Sequence, residues 1–143
     1  MSTWQELATT SHYQTAVAVR EALQRGDKDN AMQGLEELID ALARSDRRAL
    51  RSHLIRLMQH VIKWRYQPEN RSRGWLATIR NARNEIAGLR ADTPSLTRRV
   101  IEEMWESCLE AAVNEAEGEM DLSLPPLTLE WDDVFETEYT LDR

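Results

Sequence analysis

The residues best suited to chemistry crowd into one stretch, His60-Val61-Ile62-Lys63-Trp64-Arg65-Tyr66-Gln67-Pro68-Glu69-Asn70-Arg71-Ser72-Arg73-Gly74-Trp75. A histidine titrates near neutral pH and can serve as a general base. In that role His60 would work with Lys63, Arg71 and Arg83 as cations holding a phosphate or carboxylate, and with Glu37 or Asp40 orienting its ring. Arg71 and Arg73 flank the start of a helix expected from Ser72, where free N–H groups favour an anion. Trp64, Tyr66 and Trp75 offer faces on which an arginine or a base could stack. The competing reading is a packed helix–turn–helix corner. There Trp64 lies against Trp75, while Arg71 and Lys63 reach carbonyls at the end of the preceding helix. On sequence alone the packed corner is favoured.

Other chemistries lack their residues. The five glycines are dispersed, so no phosphate loop forms. No histidine pair stands four residues apart with a glutamate, and no Glu-x-x-His occurs, so neither a helical zinc motif nor a di-iron bundle site is expected. His53 and His60 are separated by about 10.5 Å of helical rise, too far to share a metal. The carboxylate pair Glu37 and Asp40, and the row Glu102, Glu106, Glu110, read as solvated helix faces. The single cysteine, Cys108, falls on an apolar stripe and reads as an inert core thiol. No metal or other cofactor is expected.

The elements that must position these residues are helices. Apolar spacing is helical nearly throughout, and five glycines with four prolines are too few for a turn-rich β fold. A first helix is marked by Tyr13, Ala16, Val17, Arg20 and Leu23, closed by Gly26. Asn30 with Gln33 resembles a capping box for a second, with Ala31, Leu35, Leu38 and Leu42 inward and Ile39 beside them. Ser45 could cap a third, or the second and third could run on as one helix; the pattern allows both. From Asp46 to Tyr66 the apolar arc, through Leu50, Leu54, Leu57, Met58, Val61 and Trp64, marks a central helix. Pro68 ends it. Ser72 caps a helix carrying Trp75, Ile79, Ala82, Ile86 and Leu89, and Thr93-Pro94 opens a last one through Val100, Ile101, Met104, Cys108 and Ala112. Thr128 is placed to cap a short helix reaching Phe135.

The expected architecture is therefore all-α: one domain over 1–143, an antiparallel bundle of four to five helices. A helical core spans 11–120, and 121–143 form an acidic, proline-containing tail with a short helix.

At the polar corner the chain is similar to a known family. The run His60-x-x-Lys63-Trp64-x-x-Gln67-Pro68-x-x-Arg71-Ser72-x-x-Trp75-x-x-x-Ile79-x-x-x-Arg83 resembles the signature of the bacterial domain-of-unknown-function family 29. The resemblance continues through Glu36–Arg47, through Asp92-Thr93-Pro94-Ser95-Leu96 and through Pro126-x-Thr128-Leu129, covering Tyr13 to Phe135. Ala43 stands where that family tends to have glycine, which favours an unbroken helix there, and Leu38 and Ala16 replace what are often an acid and an aromatic. The resemblance implies an all-helical fold and no particular activity.

Charge is segregated. The net formal charge is -7, yet residues 44–99 carry 14 Lys or Arg against 4 Asp or Glu, while residues 100–143 carry 14 acids and one base. Opposite blocks should settle against each other or against partners. A pI near 5.0 disfavours nucleic acid as a ligand of the basic block. Without an apolar run of membrane length or a leader pattern, the expected setting is cytoplasmic, with no membrane partner. The leading functional expectation is an interaction or regulatory module without catalysis, engaging another protein or a second copy of itself. Trp131, Phe135, Tyr139 and Leu141 in the tail are the anchors suited to a partner groove.

Overall fold

Helical periodicity becomes seven helices in the computed structural model, which describes residues 3–141. They are α1 (Thr3–Thr10), α2 (His12–Gln24), α3 (Lys28–Tyr66), α4 (Arg73–Asp92), α5 (Arg98–Glu103), α6 (Trp105–Met120) and α7 (Trp131–Phe135). The described residues contain no strand, as expected for an all-α chain. The chain divides into two compact units, Met1–Arg48 and Ala49–Arg143.

The first unit is built on small side chains. Its cluster is Val19, Ala22 and Ala31, with the indole of Trp4 packed beside them. Trp4 lies flat on Gly34, where an added Cβ would stand 2.6 Å from the ring. Only glycine lets helix and indole approach so closely. The indole N–H donates to the Asn30 side chain at 2.7 Å.

Gly26 ends α2 at φ +81, the left-handed conformation that glycine adopts without Cβ strain. Gly26 N–H then bonds the Leu23 carbonyl and Asp27 N–H the Ala22 carbonyl, which satisfies two helix-end acceptors. Asp27, rather than Asn30, caps α3 by accepting the Asn30 N–H. Helix α1 was not marked by the periodicity.

The inward faces of this unit differ from expectation. On α2 the buried residues are Thr15, Val19 and Ala22, while Tyr13 and Leu23 face solvent. On α3, Ala31, Gly34 and Ala41 are buried, and Met32, Leu35, Ile39 and Leu42 are exposed. Close packing around Trp4 selects the small stripe and turns the large one outward. The helix runs unbroken through Ala43-Arg44-Ser45, which settles the two readings of that junction in favour of one helix.

The second unit has a conventional core. Leu50, Leu54, Leu57, Met58, Val61, Ile62 and Trp64 of α3 are buried, as the apolar arc predicts. Against them lie Leu76, Ile79, Ala82 and Ile86 of α4 and Cys108, Ala112 and Ala116 of α6. Ser72 caps α4 by accepting the Trp75 N–H at 3.1 Å.

Three later boundaries shift. Thr93 closes α4 instead of opening the next helix, and Thr97 caps α5 through the Val100 N–H. The expected last long helix is broken at Met104 into α5 and α6. Helix α7 begins not from Thr128 but from Glu130, whose backbone N–H donates to the Asp133 carboxylate at 2.8 Å.

Candidate functional site

The polar corner joins the end of α3 to the start of α4 through a 3-10 turn, Pro68–Asn70. His60 is partly buried, and its Nδ1 bonds the Arg56 carbonyl at 2.9 Å. A carbonyl only accepts, so Nδ1 carries the proton and Nε2 keeps the lone pair. Burial pushes the His60 pKa below its usual 6.5.

Lys63 is nearly sealed, only 7% exposed. Its ammonium pairs with Glu119 of α6 at 2.9 Å and sits 4.8 Å over the Trp75 ring. Gln59 also donates to Glu119. The Lys63 hydrogen bond holds the Glu119 carboxyl below the usual range.

Arg71 and Arg83 each engage a backbone carbonyl and an aromatic ring. Arg71 Nε donates to the Trp64 carbonyl at 2.8 Å, and its guanidinium lies over the Trp64 ring at 5.0 Å. This contact caps the last turn of α3, as the packed-corner reading expects. Trp64 meets Tyr139 edge-on at 5.8 Å. Arg83 Nε donates to the Val134 carbonyl at 2.8 Å, and its guanidinium covers the Tyr139 ring. Arg73 opens α4 and is exposed. Thus His60, Lys63 and Glu119 form one group, and Trp64, Arg71, Arg83 and Tyr139 form a second, linked chain of contacts. Glu37 and Asp40 belong to the first unit.

The segregated charge finds its use here. Lys63 pairs with Glu119, Arg65 with Asp133, Arg98 with Glu102 and Arg99 with Glu103, each a cation of the basic block against an acid beyond residue 100. Arg65 also donates to the Thr128 carbonyl, and the Arg98 guanidinium lies 4.1 Å from the centre of the Trp131 ring. The Trp105 indole N–H donates to the Leu129 carbonyl. Trp131 stacks on Trp105, Phe135 meets both rings at a tilt, and all pack on the core of this unit together with Tyr139. The tail aromatics therefore pack, partly buried, on the chain's own core, while Leu141 is exposed.

Cys108 is fully buried, and burial raises its pKa. No group of three or more His, Cys, Asp or Glu is placed to hold a metal among the described residues. In the first unit, a cleft of about 270 Å³ lies between Thr9, Thr10, His12, Arg44, Ser45 and Arg48. Thr9 and Thr10 spend their hydroxyl protons on the Gln5 and Glu6 carbonyls. They offer only lone pairs to that cleft, whose fixed cations are Arg44 and Arg48.

The surface that sequence reasoning missed is apolar. Tyr13, Leu23, Met32, Leu35, Ile39 and Leu42 are between 39 and 78% exposed. The signal was the strict 3-4-3 spacing of Met32, Leu35, Ile39 and Leu42, the narrow seam of a helix that meets another helix, not the broad arc of a core helix.

Fold and corner together define an all-α protein whose most polar sequence motif binds its own C-terminal segment. The chain belongs to the family described as Domain of unknown function DUF29, whose model matches residues 11–142. No curated protein and no solved structure matches it. No helix among the described residues is long and apolar enough to cross a membrane.

Proposed function

We propose that this chain is a protein–protein interaction or regulatory module that docks through the apolar face of its first unit. The observation that carries this reading is the inverted pattern of residues 13–42: alanines, a glycine, one threonine and one valine inside, and six large apolar side chains outside. Exposing such a face to water is unfavourable, and contiguous apolar patches of this kind mark interaction sites. The polar corner supports the same reading from the other side. Lys63 and Arg71 hold a carboxylate, a carbonyl and rings of their own chain, which leaves them committed to structure.

The test uses the immobilised full chain and its Ile39→Asp variant, each challenged with extract of the source cells. The expected result is at least one protein, either another chain or an untagged copy of this one, held by the first and released by the second. Equal retention by both, or retention of nothing, would remove the reading.

A further inference from the structure

The stripe of α3 that carries these side chains is longer than its apolar part, running from exposed Lys28 to half-buried Asp46. Lys28, Met32, Leu35, Ile39, Leu42 and Asp46 follow spacings of four, three, four, three and four. At 100° per residue they fall within an arc of about 80°. The series reads the same in both directions, except that it begins with a cation and ends with an anion. Neither Lys28 nor Asp46 makes an ion pair among the described residues.

We infer that the occupant of this face is a second copy of the chain, with the two α3 stripes packed antiparallel about a two-fold axis at Glu37. This rests on the docking reading above and names its partner. The spacing alone produces the match. Turned end for end, Leu35 lies opposite Ile39, Met32 opposite Leu42 and Lys28 opposite Asp46, and each pair occurs twice by symmetry. These are the alternating layers of an antiparallel helix pair. A parallel pairing would set Lys28 against Lys28 and Asp46 against Asp46, so the end charges choose the direction.

Helix α2 adds to the same side. On α3 the exposed stripe lies about 100° round from the buried one in the direction of chain growth, and on α2 Leu23 lies about 75° round in the same sense, whereas Tyr13 is about 150° round. For two helices joined head to tail by the short Arg25–Asp27 turn, rotation of that sign brings Leu23 to the side of the hairpin that carries the α3 stripe. Leu23 therefore extends the seam. Five large residues about half exposed present on the order of 450 Å² of apolar surface, more than half of the roughly 800 Å² per partner in a stable interface.

The experiment is sedimentation and light scattering of the full chain from about 1 to about 300 μM, a range that brackets micromolar association. The wild-type chain should show dimer mass. Ile39→Asp, a change at an exposed position, should give a monomer with unchanged helical circular dichroism. Asp46→Lys should weaken association about tenfold, because each end of the seam then sets like charges together. Lys28→Asp should do the same, and the double variant Lys28→Asp/Asp46→Lys should restore association. A wild-type chain monomeric throughout the range overturns the inference. So does a dimer indifferent to Ile39→Asp, or a double exchange that fails to restore what each single exchange lost. If the chain is monomeric yet retains another protein that Ile39→Asp releases, the docking reading stands and only the second copy is wrong. If it is monomeric and retains nothing, both fall.

Discussion

Lys63 and Glu119 meet at 2.9 Å across the gap between α3 and α6, the lysine sealed and the glutamate half open to solvent. The arrangement is asymmetric. Glu119 can be hydrated without Lys63, whereas Lys63 has Glu119 and the face of Trp75 as its charge partners. Removing the acid strands a buried cation. Removing only the charge from the lysine keeps its buried aliphatic stem. Glu119→Ala should therefore cost about 1–3 kcal/mol and Lys63→Met distinctly less. Urea denaturation of both variants checks the order, and equal or reversed costs would contradict this account.

The same group sets a pH dependence. His60 has its pKa lowered by burial, so the unfolded chain takes up that proton first as pH falls below 6.5. Its contribution is complete above 6.5 and is lost on descent towards the folded pKa. Glu119 has its pKa lowered by Lys63, so its contribution is complete above about 4.5 and is lost at still lower pH. Urea midpoints measured from pH 8 down to about pH 2.5 should decline in two stages. His60→Gln should flatten the first and leave the second.

Two helical glycines should respond in opposite senses to alanine. Gly34 lies beneath the Trp4 ring, so a Cβ there must displace the indole, at about 1–3 kcal/mol. Gly88 has open space around it and should gain up to about 1 kcal/mol from the better helix former. Thermal melts of Gly34→Ala and Gly88→Ala provide the comparison, with tryptophan emission reporting the shift at Trp4.

Cys108 should resist alkylation in the folded chain. Its thiol is fully buried and its pKa raised, so both access and thiolate fraction are small. Iodoacetamide labelling should proceed at the rate of unfolding and become rapid in denaturant. Fast labelling of the native chain would contradict the burial.

The sequence disclosed most where a single apolar arc meets a single core. The central stripe from Leu50 to Trp64, the Ser72 cap and the Gly26 stop are all seen in the structure. It misled where small and large residues compete for the inside. Periodicity scores Leu35 and Leu42 as inward because leucine is more apolar than alanine, but the flat indole of Trp4 fits only over Gly34 and its neighbours. Of the corner, the cap formed by Arg71 was legible because a cation just past a helix end has few other uses. The Lys63–Glu119 pair was not, since it joins residues 56 apart in sequence. Trp64 also meets Tyr139, a contact with the tail that local spacing could not show, and Trp75 lies under the Lys63 ammonium.

Helix α3 passes without a break from a unit filled by alanines to one filled by leucines and isoleucines. Its amides therefore exchange with solvent on two scales. Around Leu57 an amide opens only when the large core comes apart, while around Leu35 it opens with local fraying of a thin one. One continuous hydrogen-bonded helix thus carries a gradient of protection along its length. Covering the Met32–Leu42 stripe would flatten that gradient from the weak end, and deuterium uptake along this single helix becomes a gauge of whether the face is occupied.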